Sequence, residues 1–287
     1  MKLSLCFFSM LLLCGLGFEV YAQDASTVKE KSPQGVPQQM EGFNLSGYAE
    51  GGEKSWDIKG DTADINDNKV AVNKVNANSY GDEDTNLMAE KGVIDKATGN
   101  VHLENNVVIT SESGAQMKTD TLDWQRGKDV VKTEDVVTLE DETMKIKGTG
   151  MDAHPSLKEA TLHSGVTADI KSETKDKKGG RIQITSDGPM EIDQNTQTAV
   201  FTDNVIAFEI ATGRKLKADR MDVHFDQKTR KIKEIVCTGH VSVFQGNNIT
   251  HSESLIYKAD EQRMVLTGKP KLILDPGDRT SADALKF

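Results

Sequence analysis

Aromatic residues, cysteines and helical periodicity are all scarce in this chain of 287 residues. Aromatic side chains make up 5% of it, and 45 Asp and Glu outnumber 35 Lys and Arg to give a net charge of −10. A nucleic-acid-binding protein needs a basic footprint and stacking rings, so this class is disfavoured. Beyond the N-terminal segment, no window of a dozen residues carries the i, i+3, i+4 apolar stripe of a helix. These absences indicate a soluble, strand-rich protein.

Cysteine usage excludes an internal disulfide in the exported part of the chain. Cys6 and Cys14 lie in an N-terminal apolar segment, which leaves Cys237 alone in the remainder. The fold must therefore be held by sheet hydrogen bonds and an apolar core. Because Cys237 lies on the apolar side of its predicted strand, we expect a buried structural thiol rather than a reactive one.

The N-terminus predicts a signal peptide over residues 1–22. Lys2 precedes an apolar run of 16 residues from Leu3 to Phe18, and Ala22 ends a small-residue cleavage site before Gln23. A helix over this run covers about 24 Å, short of the roughly 30 Å hydrocarbon core of a membrane. We therefore expect export with cleavage, and a retained N-terminal anchor is the alternative.

The stretch from residue 215 to residue 243 shows the pattern on which the chain is built. Met221, Val223 and Phe225 alternate with polar residues, a turn follows at Asp226, and the alternation then resumes. Strict alternation gives each strand of a hairpin one apolar face and one polar, solvent-exposed face. Two strands cannot bury such a face alone, so the hairpin must stack on copies of itself.

Copies of this hairpin recur along the chain. Each one reads as a strand, a polar turn, a second strand and a closing N-V or G-x-V motif. The copies start 30, 29, 38, 32 and 33 residues apart, at Leu87, Met117, Ile146, Ile184, Leu216 and Ile249, with a looser copy from Ile58 and a truncated one at the C-terminus. The repeats predict an all-β fold that is quasi-one-dimensional along its axis.

The irregular step of 38 residues contains the polar stretch SETKDKKGG, residues 172–180. We expect a linker there, between a first β block over residues 43–171 and a second over residues 181–287. Residues 23–42 are rich in Ser, Lys, Gln and Pro without periodicity, and they predict a flexible tether.

Catalytic and metal-binding constellations are weak. The six histidines lie far apart without metal-ligand spacing, and no serine lies in a nucleophile elbow. Acidic pairs such as Asp61/Asp64 and Asp219/Asp222 lack the rhythm of calcium-binding solenoids, so we assign them to turns. The chain is predicted not to be an enzyme and to need no cofactor or metal.

The unusual feature is the apolar face itself. In a closed sandwich this face is core, whereas a stack of hairpins folded into an open V exposes a long apolar trough suited to acyl chains. Periodicity does not separate core from lipid contact. The candidate lining residues are Val107, Ile109, Leu122, Val137 and Leu139 in the first block, and Ile192, Val205, Val223, Phe225, Val241, Val243, Leu255 and Leu266 in the second.

A solenoid of hairpins has two unpaired ends. The strand near Ile58 and the last segment, Ala282 to Phe287, are the expected edges. Each could accept a strand from a neighbouring protomer or from a partner of the same fold.

Two stretches of the sequence resemble known families. Residues 47–114, with GYAEGGEKSWDIKGDTADI and LMAEKGVIDKATGNVHLENNVVI, resemble the LptC family of lipopolysaccharide export. Residues 182–275, with AVFTDNV, KLKADRMDVHFD and CTGHVSV, resemble the LptA (OstA-like) family. The chain thus looks like a fusion of two proteins that are usually separate.

This resemblance implies a β-jellyroll, an open V-shaped stack of hairpins, and a periplasmic location. It also implies that lipid A acyl chains lie in the trough as lipopolysaccharide passes from an inner-membrane ABC transporter toward the outer membrane. The implied partners are that transporter, the outer-membrane translocon and further OstA-like protomers.

Two other functions remain open at this point. A structural or adhesive β-solenoid would have a fully closed core and would polymerise end to end. A polysaccharide-active β-solenoid enzyme would need carboxylates at catalytic spacing on one exposed face.

Overall fold

The computed structural model describes residues 38–49, 51–81, 83–172, 180–229, 231–261 and 263–275. The expected signal peptide, the interior of the expected linker and the expected C-terminal edge lie outside these residues. The expected tether lies outside them except for residues 38–42, which form the start of a strand. The tether prediction is therefore wrong for these five residues.

Seventeen antiparallel strands form one continuous sheet, which confirms the all-β fold of stacked hairpins. The only other elements within the described residues are 3-10 turns at Arg126–Lys128 and Pro155–Leu157. The strands are β1 (Gln38–Tyr48), β2 (Lys54–Ile65), β3 (Lys69–Ser79), β4 (Thr85–Asp95), β5 (Val101–Ser111), β6 (Gln116–Gln125), β7 (Val130–Glu140), β8 (Met144–His154), β9 (Glu159–Ser172), β10 (Gly180–Ser186), β11 (Met190–Asp193), β12 (Thr198–Glu209), β13 (Arg214–Phe225), β14 (Ile232–Gln245), β15 (Asn248–Lys258), β16 (Arg263–Thr267) and β17 (Lys271–Ile273).

In two places, a pair of short strands forms the two halves of a single bent strand. β10 and β11 both pair with β9 and β12, and β16 and β17 both pair with β15. The sheet is otherwise a meander in which each strand pairs with its neighbours in sequence. Since β9 pairs with β10 over residues 166–172 and 180–186, the sheet continues from the first block into the second.

The strands bend near their midpoints. In β5, β12 and β14 two consecutive residues adopt positive φ at the bend: Asn105–Asn106, Asp203–Asn204 and Gly239–His240. The register shifts at the same places, so an extra residue bulges out and turns the strand. Gly, Asn and Asp are the residue types that tolerate this left-handed conformation best. The N-V and G-x-V motifs, expected to close each hairpin, therefore lie inside its second strand and bend it.

Polar side chains connect the bends from strand to strand. Asn106 Nδ2 donates to Glu90 Oε1 at 2.7 Å, and His240 Nδ1 lies 2.7 Å from Asp219 Oδ2. The assignment of Asp61/Asp64 and Asp219/Asp222 to turns is wrong, because both pairs lie within strands, β2 and β13.

The bends divide the sheet into two half-sheets that pack face to face around the core. The turns after β2, β4, β6, β8, β11, β13 and β15 form one row, the first rim. The turns after β1, β3, β5, β7, β12 and β14 form the other row, the second rim. We call the strand halves leading to each rim the first and second half-sheet. Fully buried side chains such as Val131, Phe201 and Met221 lie between them.

Local chemistry sets the turns of the first rim. Asp95, Asp193 and Asp226 each begin an Asp-x-x-Thr turn, in which the carboxylate accepts hydrogen bonds from backbone N–H groups two and three residues on. The pKa of all three carboxyl groups is lowered, chiefly by these backbone bonds for Asp95 and Asp226 and by the Thr196 hydroxyl for Asp193. The turn residues thus fix where each strand reverses.

The apolar seam as candidate functional site

Opposite the bends, the two rims face each other along a seam. Tyr257 lies near the first rim, and its pKa is raised by burial and by Glu209, which lies at the second rim. Across the described residues, every strand pairing belongs to the meander and none joins one half-sheet to the other. The seam is therefore closed by side-chain packing rather than by a hydrogen-bonded ladder.

Partly buried apolar side chains follow the seam on both sides and pack against the core. Because they are already partly exposed, these side chains would lose less apolar burial than fully buried ones if the rims moved apart. Those near the first rim are Val70, Val101, Trp124, Ile192, Phe225, Ile232, Tyr257 and Met264, and those near the second are Leu87, Met144, Ile182, Ala207 and Leu216.

All thirteen residues proposed from the sequence as lipid contacts lie in this interior. Three are partly exposed along the first half-sheet: Ile192, Phe225 and Leu266. The other ten are buried: Val107, Ile109, Leu122, Val137, Leu139, Val205, Val223, Val241, Val243 and Leu255. The buried ones form the core of the protein as described, so lipid contact stays a prediction for them.

A small apolar cavity of about 30 Å³ interrupts the packing at the middle of the seam. It lies where the two blocks meet, with Met144 and Ile170 from β8 and β9 on one side and Ile192 and Phe225 from β11 and β13 on the other. An apolar cavity that binds a molecule as small as benzene is larger, about 150 Å³. We therefore expect a hydrocarbon tail to enter the interior only when the rims move apart.

Sequence reasoning did not identify Met144 and Ile170 as seam residues. Both alternate correctly with polar neighbours, and the repeat that begins at Ile146 could have pointed to them. The repeat could not show that the first residue of β8 and the last residue of β13, which are far apart in sequence, lie across the seam from each other.

One free thiol, that of Cys237, lies in the described interior. Cys237 is fully buried, as predicted, and burial raises its pKa to about 12, so the thiol stays protonated. Among the residues that the structure describes, no three His, Cys, Asp or Glu side chains are grouped so that they could hold a metal ion.

Both ends of the described sheet present exposed apolar side chains on an edge strand. Met40 and Leu45 are 43% and 56% exposed on β1, and Leu272 and Ile273 are 41% and 44% exposed on β17. The N-terminal edge is β1 rather than the strand containing Ile58, which is paired on both sides.

Bent hairpins stacked around an apolar interior define an elongated β-jellyroll of the OstA-like type. The chain belongs to the LptC-related family of lipopolysaccharide-assembly proteins, whose family model matches residues 5–171. Residues 183–287 match a second family model, described as LptA/(LptD N-terminal domain) LPS transport protein. The resemblance to two families in one chain is thus confirmed, and the protein has a role in lipopolysaccharide transport.

A search of curated proteins found no match to the chain. Within the described ranges, no helix is long and apolar enough to cross a membrane.

Proposed function

We propose that the chain is a non-enzymatic periplasmic bridge that carries lipopolysaccharide with its acyl chains in the seam. The observation that carries this proposal is the closure of the seam by side-chain packing, most of it apolar. Because no ladder of backbone hydrogen bonds crosses the seam within the described residues, the rims can part and close again at the cost of side-chain contacts. The acyl chain would cover the same side chains that opening exposes.

The affinity of such a site comes from hydrophobic burial. At about 0.8 kcal/mol per CH₂, a chain of a dozen carbons gains roughly 9 kcal/mol on leaving water. No catalytic group and no sequence-specific pocket is needed for this step. The sugar and phosphate part of the cargo would stay in solvent outside the seam, away from the apolar core.

The path would cross from the first block to the second without a break. The inward side chains of Ile146, Ala168 and Ile184 lie on adjacent paired strands across the junction, and all three are buried. The cavity at the seam is also lined from both blocks. Cargo would therefore move along one interior rather than between two proteins.

The two edge strands are the proposed sites of partner binding. β1 and the β16–β17 strand have an unpaired edge within the described residues and expose apolar side chains that a further strand would cover. We assign the N-terminal edge to the inner-membrane transporter, and the C-terminal end to the outer-membrane translocon or to another OstA-like protomer.

Photocrosslinking in lipopolysaccharide-producing cells tests the proposed cargo. A photoreactive amino acid at Phe225 or Ile192, on the seam, should give a lipopolysaccharide adduct. The same photoreactive amino acid placed at Val236, which faces outward on the neighbouring strand β14, should give no adduct. Lack of an adduct at both seam positions would favour the structural scaffold, whose core never opens.

A further inference from the structure

The outer surfaces of the two half-sheets differ in charge. The outward side chains of the second half-sheet between β6 and β13 form what we call the basic face. Its cations are Lys118, Lys145, Lys147, Lys171, Arg181, Lys215 and Lys217, the carboxylates in the same rows are Glu140 and Asp169, and two further exposed carboxylates, Asp120 and Asp219, lie at its edge along the bend. The whole chain has a net charge of −10, so the positive charge is concentrated on this face.

The first half-sheet shows the opposite balance over the same strands. Its outward cations are Lys132 and Arg220, and its outward carboxylates are Asp123, Asp152, Glu159, Glu191, Asp193 and Asp222. Both cations are paired, Lys132 with Asp152 at 2.9 Å and Arg220 with Asp222 at 2.7 Å. The two faces of one sheet therefore present opposite fields to their surroundings.

Most cations of the basic face are not neutralised by a partner. Lys145 pairs with Glu140 at 3.0 Å, and Lys171 donates to the carbonyl oxygen of Glu142. Among the described residues, Lys118, Lys147 and Arg181 form no ion pair with a carboxylate. Their charge is available to a partner in solution.

Exposed apolar side chains adjoin these cations near the second rim. Phe208 is 38% exposed and lies opposite Lys215 on the paired strand, and Ile210 is 52% exposed. The Ile210 N–H donates to the carbonyl of Arg181, which places both residues at the same corner of the face. Lysine beside exposed aromatic and aliphatic side chains is the composition of a surface that lies on a membrane interface.

We propose that the basic face docks the protein onto an anionic phospholipid surface. The cations are spread over five strands, β6, β8, β9, β10 and β13, of a half-sheet whose neighbouring strands lie about 4.8 Å apart. An extended negative surface complements this spacing, and Phe208 and Ile210 supply the apolar contact. The proposal goes beyond transport through the seam, which involves the opposite side of the same strands.

Vesicle binding by matched triple variants tests this docking. The protein beginning at Gln23 contains every described residue and omits the apolar run Leu3–Phe18, which could bind vesicles by itself. The test variant is Lys145→Gln/Lys147→Gln/Lys171→Gln. The control variant, Lys69→Gln/Lys91→Gln/Lys132→Gln, makes the same change in net charge on the first half-sheet. All six side chains lie outside the core, so both variants should keep the urea midpoint of the parent protein.

The parent protein should bind phosphatidylglycerol-containing vesicles at low salt and should not bind phosphatidylcholine vesicles. The test variant should bind at least about tenfold more weakly, since each lysine near an anionic surface contributes roughly a fivefold factor. The control variant should match the parent. Equal loss in both variants, or no preference for phosphatidylglycerol, would overturn the proposal.

One outcome would assign the face to another occupant. If the test variant loses self-association instead of vesicle binding, the basic face packs on the acidic outer surface of the first half-sheet of a second copy. The variants leave every seam residue unchanged, so the docking proposal and the transport proposal can fail separately. Vesicle binding without seam crosslinking would contradict transport alone, and seam crosslinking without vesicle binding would contradict docking alone.

Discussion

Tethering the two rims together should abolish lipid binding. Met144 and Phe225 lie on opposite sides of the cavity at the seam. The perturbation is Met144→Cys/Phe225→Cys joined by a short bifunctional maleimide, with Cys6 and Cys14 replaced by serine. The native Cys237 thiol will not compete, because it is fully buried and its pKa is raised to about 12.

The structure sets the size of the expected effect. The cavity holds about 30 Å³, against about 150 Å³ for an apolar cavity that binds benzene, so we expect a tethered seam to exclude an acyl chain. An untethered seam gains about 9 kcal/mol for a dozen carbons, against about 3–5 kcal/mol for uncovering a few partly buried side chains before the chain covers them again. The difference of several kcal/mol corresponds to a loss of affinity of at least about a hundredfold on tethering.

Binding of a fluorescent fatty acid or lipid A analogue measures this loss. The control is Ile192→Cys/Phe225→Cys joined by the same reagent, because both residues lie on the first half-sheet and their connection leaves the seam free to open. Binding should survive in the control and should return in the test variant when the second cysteine is omitted. Undiminished binding by the tethered test variant would refute the seam as the route of entry.

Two further predictions concern the bends and acid stability. Gly239→Ala should lower the free energy of unfolding by about 2 kcal/mol, because Gly239 has φ +77° and an added Cβ would clash with the side chain of Asp219. Gly246→Ala, at φ +59° with no atom nearby, should cost about 1 kcal/mol, and equal shifts in the urea midpoint would exclude the steric account. Burial alone would raise the pKa of Asp57, but hydrogen bonds from Lys54, Asn78 and Tyr80 hold it at about 2. Since this value lies below 3.8, Asp57 should stabilise the fold above pH 4 by about 2 kcal/mol and lose that contribution as the pH falls toward 2. The free energy of unfolding, measured with urea across this pH range, should fall less steeply for Asp57→Asn than for the parent protein. An equally steep fall would contradict this role of Asp57.

The inward and outward residues of the strands could be predicted because alternation is a local signal. Val223 and Phe225 face the interior as their period of two indicates, and so does Cys237. The bend in each strand could not be predicted from this alternation. Asn105–Asn106 and Gly239–His240 are residue types that also form hairpin turns, and only the paired neighbours show that the strand continues past them.

The first strand was missed for a different reason. Residues 38–42 read QQMEG, which is too polar and irregular to indicate a strand. β1 is an edge strand that pairs with β2 alone, so backbone hydrogen bonds to β2 and the packing of Phe43 against the core hold it there. Its positive-φ residue Gly42 lies at the bend, so the apolar residues on either side, Met40 and Phe43, do not keep a period of two. A local pattern cannot detect pairing of this kind.

The junction between the two blocks changes what a transfer of cargo between them would require. The match to the LptC-related family ends at residue 171, inside β9, and the second match begins at residue 183, inside β10. These two strands are paired over seven residues, from Gly180↔Ser172 to Ser186↔Val166, with the same antiparallel geometry as the other hairpins. Because the pairing is intramolecular, it does not depend on the concentration of a partner. Under the proposed function, cargo that passes from one block to the other crosses the seam at the cavity, and tethering Met144 to Phe225 acts on this step.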